Sequence, residues 1–168
     1  MPVGCSRRWP CGAARPDREF GPIVNAIDPD LRPFFARGGK LMITHGWSDT
    51  AIPPEGSVRY FESVGVRARE LGLADPPIAL FMVPGMGHCG GGDGPTEFDG
   101  LTALESWHEG GAGPERMLAS MVGARGGIVR TRPLCAYPGV AHYLGQGDKN
   151  DAGQFECQIM REPVTASK

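Results

Sequence analysis

Two short, nearly unbroken apolar runs frame the chain. Lys40 to Thr44 in "KLMITHGWSD" and Ile78 to Val83 in "IALFMVPG" each give way at once to a glycine turn. Continuous rather than alternating apolarity predicts strands buried on both faces. Between the two runs the period becomes helical. "PPEGSVRYFESVGVRARELG" places Val58, Phe61, Val64 and Leu71 roughly on one face, with Arg59, Glu62 and Arg67 elsewhere. Pro53 and Pro54 suit the first turn of that helix and Gly72 its C-terminal cap. Strand, helix and strand in this order predict a right-handed crossover within a parallel sheet, an α/β architecture.

The flanking segments carry weaker patterns. Asp28, Pro29 and Asp30 resemble a helix start and Gly38-Gly39 a stop, so a helical turn is expected around Leu31–Ala36. "EFDGLTALESWHEGG" predicts a further helix with Phe98, Leu101, Leu104 and Trp107 on one face and a double-glycine stop. "ERMLASMV" and "GGIVRTRPLC" predict short strands, and the remainder of the chain reads as an irregular tail. No repeat is visible. Residues 1–16, rich in Arg, Pro, Gly and Cys, show no period; they are expected to be disordered or foreign to the fold, leaving 17–168 as the domain.

Composition narrows the classes. The 168 residues suffice for one domain and its core. A formal net charge of −2 provides no basic field to attract nucleic acid. No apolar run reaches the roughly 20 residues of a membrane span, so no membrane partner is expected. The N-terminus has positive charge but no apolar stretch behind it, unlike a signal peptide. Gly and Pro supply a quarter of the chain, clustered between apolar runs as in a loop-rich folded domain. None of the five cysteines stands in a C-x-x-C pair, which argues against a zinc ribbon or a thioredoxin-like site. Cysteine usage leans weakly towards an oxidising compartment.

Reactive groups in open α/β sheets sit just beyond the carboxyl ends of the strands. Asp49 comes after the first apolar run there, and His88 after the second, in "FMVPGMGHCGGGDGP". One helix between the strands brings both loops to the same sheet edge. An acid followed by a histidine matches the chain order Ser…Asp…His of α/β-hydrolases. In that chemistry the imidazole takes the serine proton, and the carboxylate fixes its tautomer and stabilises the imidazolium. Taken singly, Asp49 could be a turn residue and His88 a surface loop histidine; their paired placement after consecutive strands favours the triad. His45 stands near the same edge but takes a structural role by default, and His108 and His142 read as solvated. Adjacent residues in an extended loop point apart, which disfavours Cys89 as a nucleophile served by His88. "HCGGGDG" lacks a second histidine or cysteine at ligand spacing, so neither metal nor cofactor is expected.

The stretches "GGKLMITHGWSDTAIPP", "FMVPGMGHCGGGDGP" and "RTRPLCAYPGVAHYLGQGDKNDAGQFEC" resemble the tannase and feruloyl esterase family of α/β-hydrolases, from about Phe20 to Cys157. The resemblance implies a Ser-Asp-His triad in which Asp49 is the acid and His88 the base. In that family cysteines adjoin both the serine and the histidine and bond to each other, which makes Cys89 a half-cystine. The Arg132-to-Cys157 segment looks like the family's tail, where Cys135 and Cys157 form a second bridge worth about 3 kcal/mol on the chain-entropy account. The implied activity is hydrolysis of esters of aromatic and phenolic acids, on small-molecule substrates, by a secreted or periplasmic protein.

The family's serine belongs to a Gly-Cys-Ser-x-Gly-Gly turn far upstream, followed by a lid domain with a calcium site; no counterpart stands in this sequence. Gly4-Cys5-Ser6 spells the start of such a turn, but only three residues precede it. Arg8 also stands where the tight turn needs a residue without a side chain. Ser6 is therefore not taken as the nucleophile. The expectation is the C-terminal portion of an α/β-hydrolase, holding the acid and the base. One alternative is a truncated, non-catalytic remnant. A third possibility is a module whose open sheet edge pairs with a partner chain carrying the serine.

Overall fold

The computed structural model describes residues 19–159 apart from Pro22; residues 1–16, with Cys5 and Ser6, lie outside that range. A short helix, α1 (Arg32–Phe35), precedes strand β1 (Leu41–Gly46), helix α2 (Glu55–Glu70) and strand β2 (Ile78–Val83). β1 and β2 pair in parallel, from Leu41 opposite Ile78 to Gly46 opposite Val83. This is the crossover that the two apolar runs predict. β2 is buried along nearly its whole length, whereas β1 is only half-buried. α2 lays Val64 and Ala68 into the protein. It ends where Gly72 turns to φ +83° and the Leu73 N–H reaches back to the Ala68 carbonyl at 2.9 Å.

The remaining chain builds a second layer. β3 (Glu97–Phe98), β4 (Arg116–Val122) and β5 (Ile128–Cys135) form an antiparallel sheet, with α3 (Gly100–His108) between β3 and β4. The core lies where this sheet and α3 meet β2: Phe81, Val83, Met86, Trp107, Met117, Ala119 and Leu134 form one cluster. Phe81 at its centre is fully excluded from solvent. Burying such a side chain contributes about 1.5–3 kcal/mol. Beyond β5 the Tyr137 N–H donates to the Leu80 carbonyl at 2.8 Å, attaching the next segment to β2.

Three sequence expectations need correction. The tail after Cys135 is not irregular: β6 (Gly139–Tyr143) and β7 (Phe155–Ile159) form an antiparallel hairpin, tied to β5 by a Cys135–Cys157 disulfide. Both strands are short and mostly exposed, so no apolar alternation marks them. Glu97 and Phe98 pair as strand with Ser120 and Ala119 instead of opening a helix. The helix begins after Asp99, whose carboxylate caps it by accepting from the Thr102 N–H at 2.9 Å. Leu101, expected on the buried face of α3, is 67% exposed, while Trp107 is buried.

Candidate active site

Asp49 lies just past the last residue of β1 in a tight turn, with its own N–H donating to the Gly46 carbonyl at 3.2 Å. One carboxylate oxygen, Oδ1, accepts the backbone N–H groups of Ala51 (2.8 Å) and Ile52 (3.0 Å). Asp49 is thus a turn residue in the ordinary sense. Its second oxygen faces the other way, towards the loop after β2. The side chain is 2% exposed.

That loop is folded back on itself. The Gly87 N–H donates to the Gly91 carbonyl at 3.0 Å, and Met86 bridges to Gly92. Gly92 has φ +108°, and a Cβ there would strike the Gly85 carbonyl. The glycines therefore specify a compact hairpin-like loop rather than a loose one. The Ser48 N–H also donates to the Met86 carbonyl at 2.9 Å, binding the β1 loop directly to the β2 loop.

The product of these turns is one short hydrogen bond. His88 Nδ1 lies 2.7 Å from Asp49 Oδ2, joining residues far apart in sequence. The hydrogen bond to His88, assisted by the Ile52 and Ala51 N–H groups, holds the Asp49 carboxyl well below the usual carboxylate range, against the opposing effect of burial. An ionised carboxylate only accepts, so Nδ1 of His88 is the donor, and in the neutral ring the lone pair then stands on Nε2. The ring is half-exposed, and among the described residues Nε2 has no hydrogen-bond partner. Both groups line a groove of about 490 Å³ shared with Thr44, Ile52, Phe98 and Glu97.

His45, assigned only a structural role from sequence, also meets the carboxylate. Its Nε2 lies 3.2 Å from Asp49 Oδ2, and its Nδ1 lies 2.7 Å from Ser57 Oγ at the start of α2. The signal was the His-Gly-x-x-Asp spacing: a strand that ends in a tight turn folds the residue four positions on back onto the imidazole. His108 and His142 are exposed and stand apart from this group. Cys89 is exposed, with φ +57° and a free thiol, and no hydrogen bond joins it to the His88 ring. Among the described residues no three His, Cys, Asp or Glu side chains gather as a metal would require, and no helix is long and apolar enough to cross a membrane.

A family model described as tannase and feruloyl esterase matches residues 14–158. The chain belongs to that family. A mono(2-hydroxyethyl) terephthalate hydrolase of Piscinibacter sakaiensis is 43% identical, over 79% of this chain and 22% of its own length. An uncharacterized esterase of Xanthomonas campestris is 38% identical, over 80% of this chain and 28% of its own. The crystal structure of feruloyl esterase B from Aspergillus oryzae superposes with a TM-score of 0.69 at 27% identity, over 79% of this chain and 29% of that one. The α/β fold expected from the sequence is thus that of the tannase and feruloyl esterase enzymes. This chain spans less than a third of the length of each of these relatives.

Proposed function

We propose that this chain supplies the acid–base half of a serine carboxylesterase acting on esters of aromatic acids, with His88 as general base and Asp49 as its orienting acid. One observation carries the reading: a carboxylate with 2% side-chain exposure holds the imidazole through Nδ1 at 2.7 Å, while the half-exposed ring lines an open groove and its Nε2 has no hydrogen-bond partner among the described residues. That is the arrangement a hydroxyl nucleophile needs. Nε2 takes the proton as the serine oxygen bonds to the ester carbonyl carbon. It returns that proton to the departing alcohol as the acyl-enzyme forms. Water then repeats the sequence, releasing the acid and restoring the serine.

The serine would come from the Gly-Cys-Ser-x-Gly-Gly turn that the family resemblance implies. Cys89, beside His88, would bond to the cysteine of that turn and hold the loop against it. The names of the relatives, a terephthalate monoester hydrolase and a feruloyl esterase, favour aromatic acyl groups. The Cys135–Cys157 bond fits a protein that works in an oxidising compartment.

A second reading, that the chain alone hydrolyses nothing, is favoured by the absence of any serine bonded to His88 Nε2 among the described residues. Purified chain is offered methyl ferulate and a chromogenic short-chain ester beside a His88→Ala control. Turnover that disappears in the control establishes a working triad. Folded but inactive chain that gains activity with a fragment bearing the serine turn establishes the half-site. Folded chain inert under both conditions refutes the esterase reading.

A further inference from the structure

We propose that His45, backed by Ser57, is a positioning residue that locks the second oxygen of Asp49 in the direction His88 requires. The two backbone N–H groups of Ala51 and Ile52 fix only Oδ1. A carboxylate held by one oxygen can still swing the other. Oδ2 is the atom that meets His88, and His45 Nε2, 3.2 Å away, is its other partner. With both imidazoles in place every acceptor direction of the carboxylate is engaged.

The lock works only in one tautomer. Because Oδ2 cannot donate, His45 must carry its proton on Nε2. In the neutral ring Nδ1 is then an acceptor, and the Ser57 hydroxyl, 2.7 Å away, is its donor. Two rings on one oxygen therefore hold opposite tautomers: proton on Nε2 for His45, on Nδ1 for His88. Without Ser57, the proton of His45 can move to Nδ1, which turns a lone pair towards the carboxylate and pushes Oδ2 away. Water is a poor substitute, since the His45 side chain is 14% exposed against 50% for His88. Glu97 and Cys89 line the same groove, and neither hydrogen-bonds His45. The consequence for catalysis rests on the esterase reading; the hydrogen-bond lock does not.

The test is nitrogen-15 NMR of ring-labelled histidines in the full chain, at a pH where both rings are neutral. His45 is expected with its proton on Nε2 and His88 with its proton on Nδ1. Ser57→Ala should shift His45 towards a mixture of tautomers. It should also speed exchange of the His88 Nδ1 proton with water by about tenfold, the scale set by one hydrogen bond to a charged group. His45→Gln, whose amide can donate from the place of Nε2, should retain slow exchange, and His45→Leu should lose it. A merely space-filling His45 would leave exchange the same in all four proteins, which overturns the proposal. So does a wild-type His45 protonated on Nδ1. If the amide spectrum shows His45→Leu unfolded, Ser57→Ala decides alone, since Ser57 is half-exposed on the first turn of α2. A wild-type His88 protonated on Nε2 overturns this lock and the esterase reading together. Absence of ester turnover with both tautomers as stated removes only the esterase reading.

Discussion

Gly46 is the last residue of β1, and a methyl group there tests how closely the two site loops are fitted. A Cβ on residue 46 would stand 2.5 Å from the Gly87 carbonyl oxygen and nearer still to that of Met86. Ordinary contact lies near ~3.5 Å, so the Met86–Gly87 backbone must retreat by about 1 Å. It cannot move inward, because Met86 is 6% exposed within the core. The loop moves outward, taking His88 with it, and a 2.7 Å bond to Asp49 stretched by that amount ceases to be one. Overpacking of this kind costs about 1–3 kcal/mol of stability. A misplacement of roughly 1 Å costs about a hundredfold in turnover. Gly56→Ala is the control: nothing lies near its Cβ, and on helix α2 the change should be neutral or stabilise by up to about 1 kcal/mol. Urea unfolding, methyl ferulate turnover and the His88 Nδ1 proton resonance are compared across wild type, Gly46→Ala and Gly56→Ala. Gly46→Ala with the proton resonance unmoved, and with any turnover within about threefold of wild type, would refute the steric argument.

Phe81→Ala should lower stability by about 3–5 kcal/mol, because the ring is fully buried at the centre of the core; the check is a lower urea midpoint at unchanged slope. Replacing Cys135 and Cys157 together by alanine opens a loop of sequence separation 22 and should cost about 3 kcal/mol, with amide exchange fastest in the β6–β7 hairpin. The Asp49 carboxyl is held below its ordinary range chiefly by the His88 hydrogen bond, so its ionised form favours the folded chain. That stability is fully present above pH ~4, the unfolded-state value, and disappears as pH falls towards the lower folded-state value. Asp30, Asp99 and Asp151 are also held low by hydrogen bonds to their ionised forms. The difference between wild type and Asp49→Asn across acidic pH therefore isolates Asp49; equal pH profiles would contradict its role.

How far the sequence reveals this arrangement depends on what each segment buries. β2 is apolar throughout because both its faces are covered, and such a run is legible without any partner in view. The crossover helix shows its period because one face packs inward through Val64 and Ala68. Asp49 and His88 could be placed at one edge because parallel strands joined by a single helix must end on the same side. The hairpin after Cys135 could not be read, since strands exposed on most positions leave no alternation. Glu97 and Phe98 merge into the apolar pattern of the adjoining helix, and only the Asp99 cap separates the two. For His45 the His-Gly-x-x-Asp spacing carries the contact to Asp49, but no periodicity encodes the second contact, to Ser57 twelve positions on.

The two loops differ in how their precision is achieved. Asp49 is fixed locally: its turn, the Ala51 and Ile52 N–H groups and His45 all lie within or next to β1. His88 is fixed remotely, through a glycine fold that closes on itself and through the Ser48–Met86 hydrogen bond. Under the esterase proposal, an acid fixed within its own turn and a base held by a neighbouring loop suit a site in which the base must face two partners in turn, the nucleophile and the leaving group. The half-exposed His88 ring is anchored, among the described residues, only at Nδ1. Cys89, the next residue, places a free, exposed thiol on the same groove. Under the same proposal, a covalent tie at Cys89 would limit how far that ring can move.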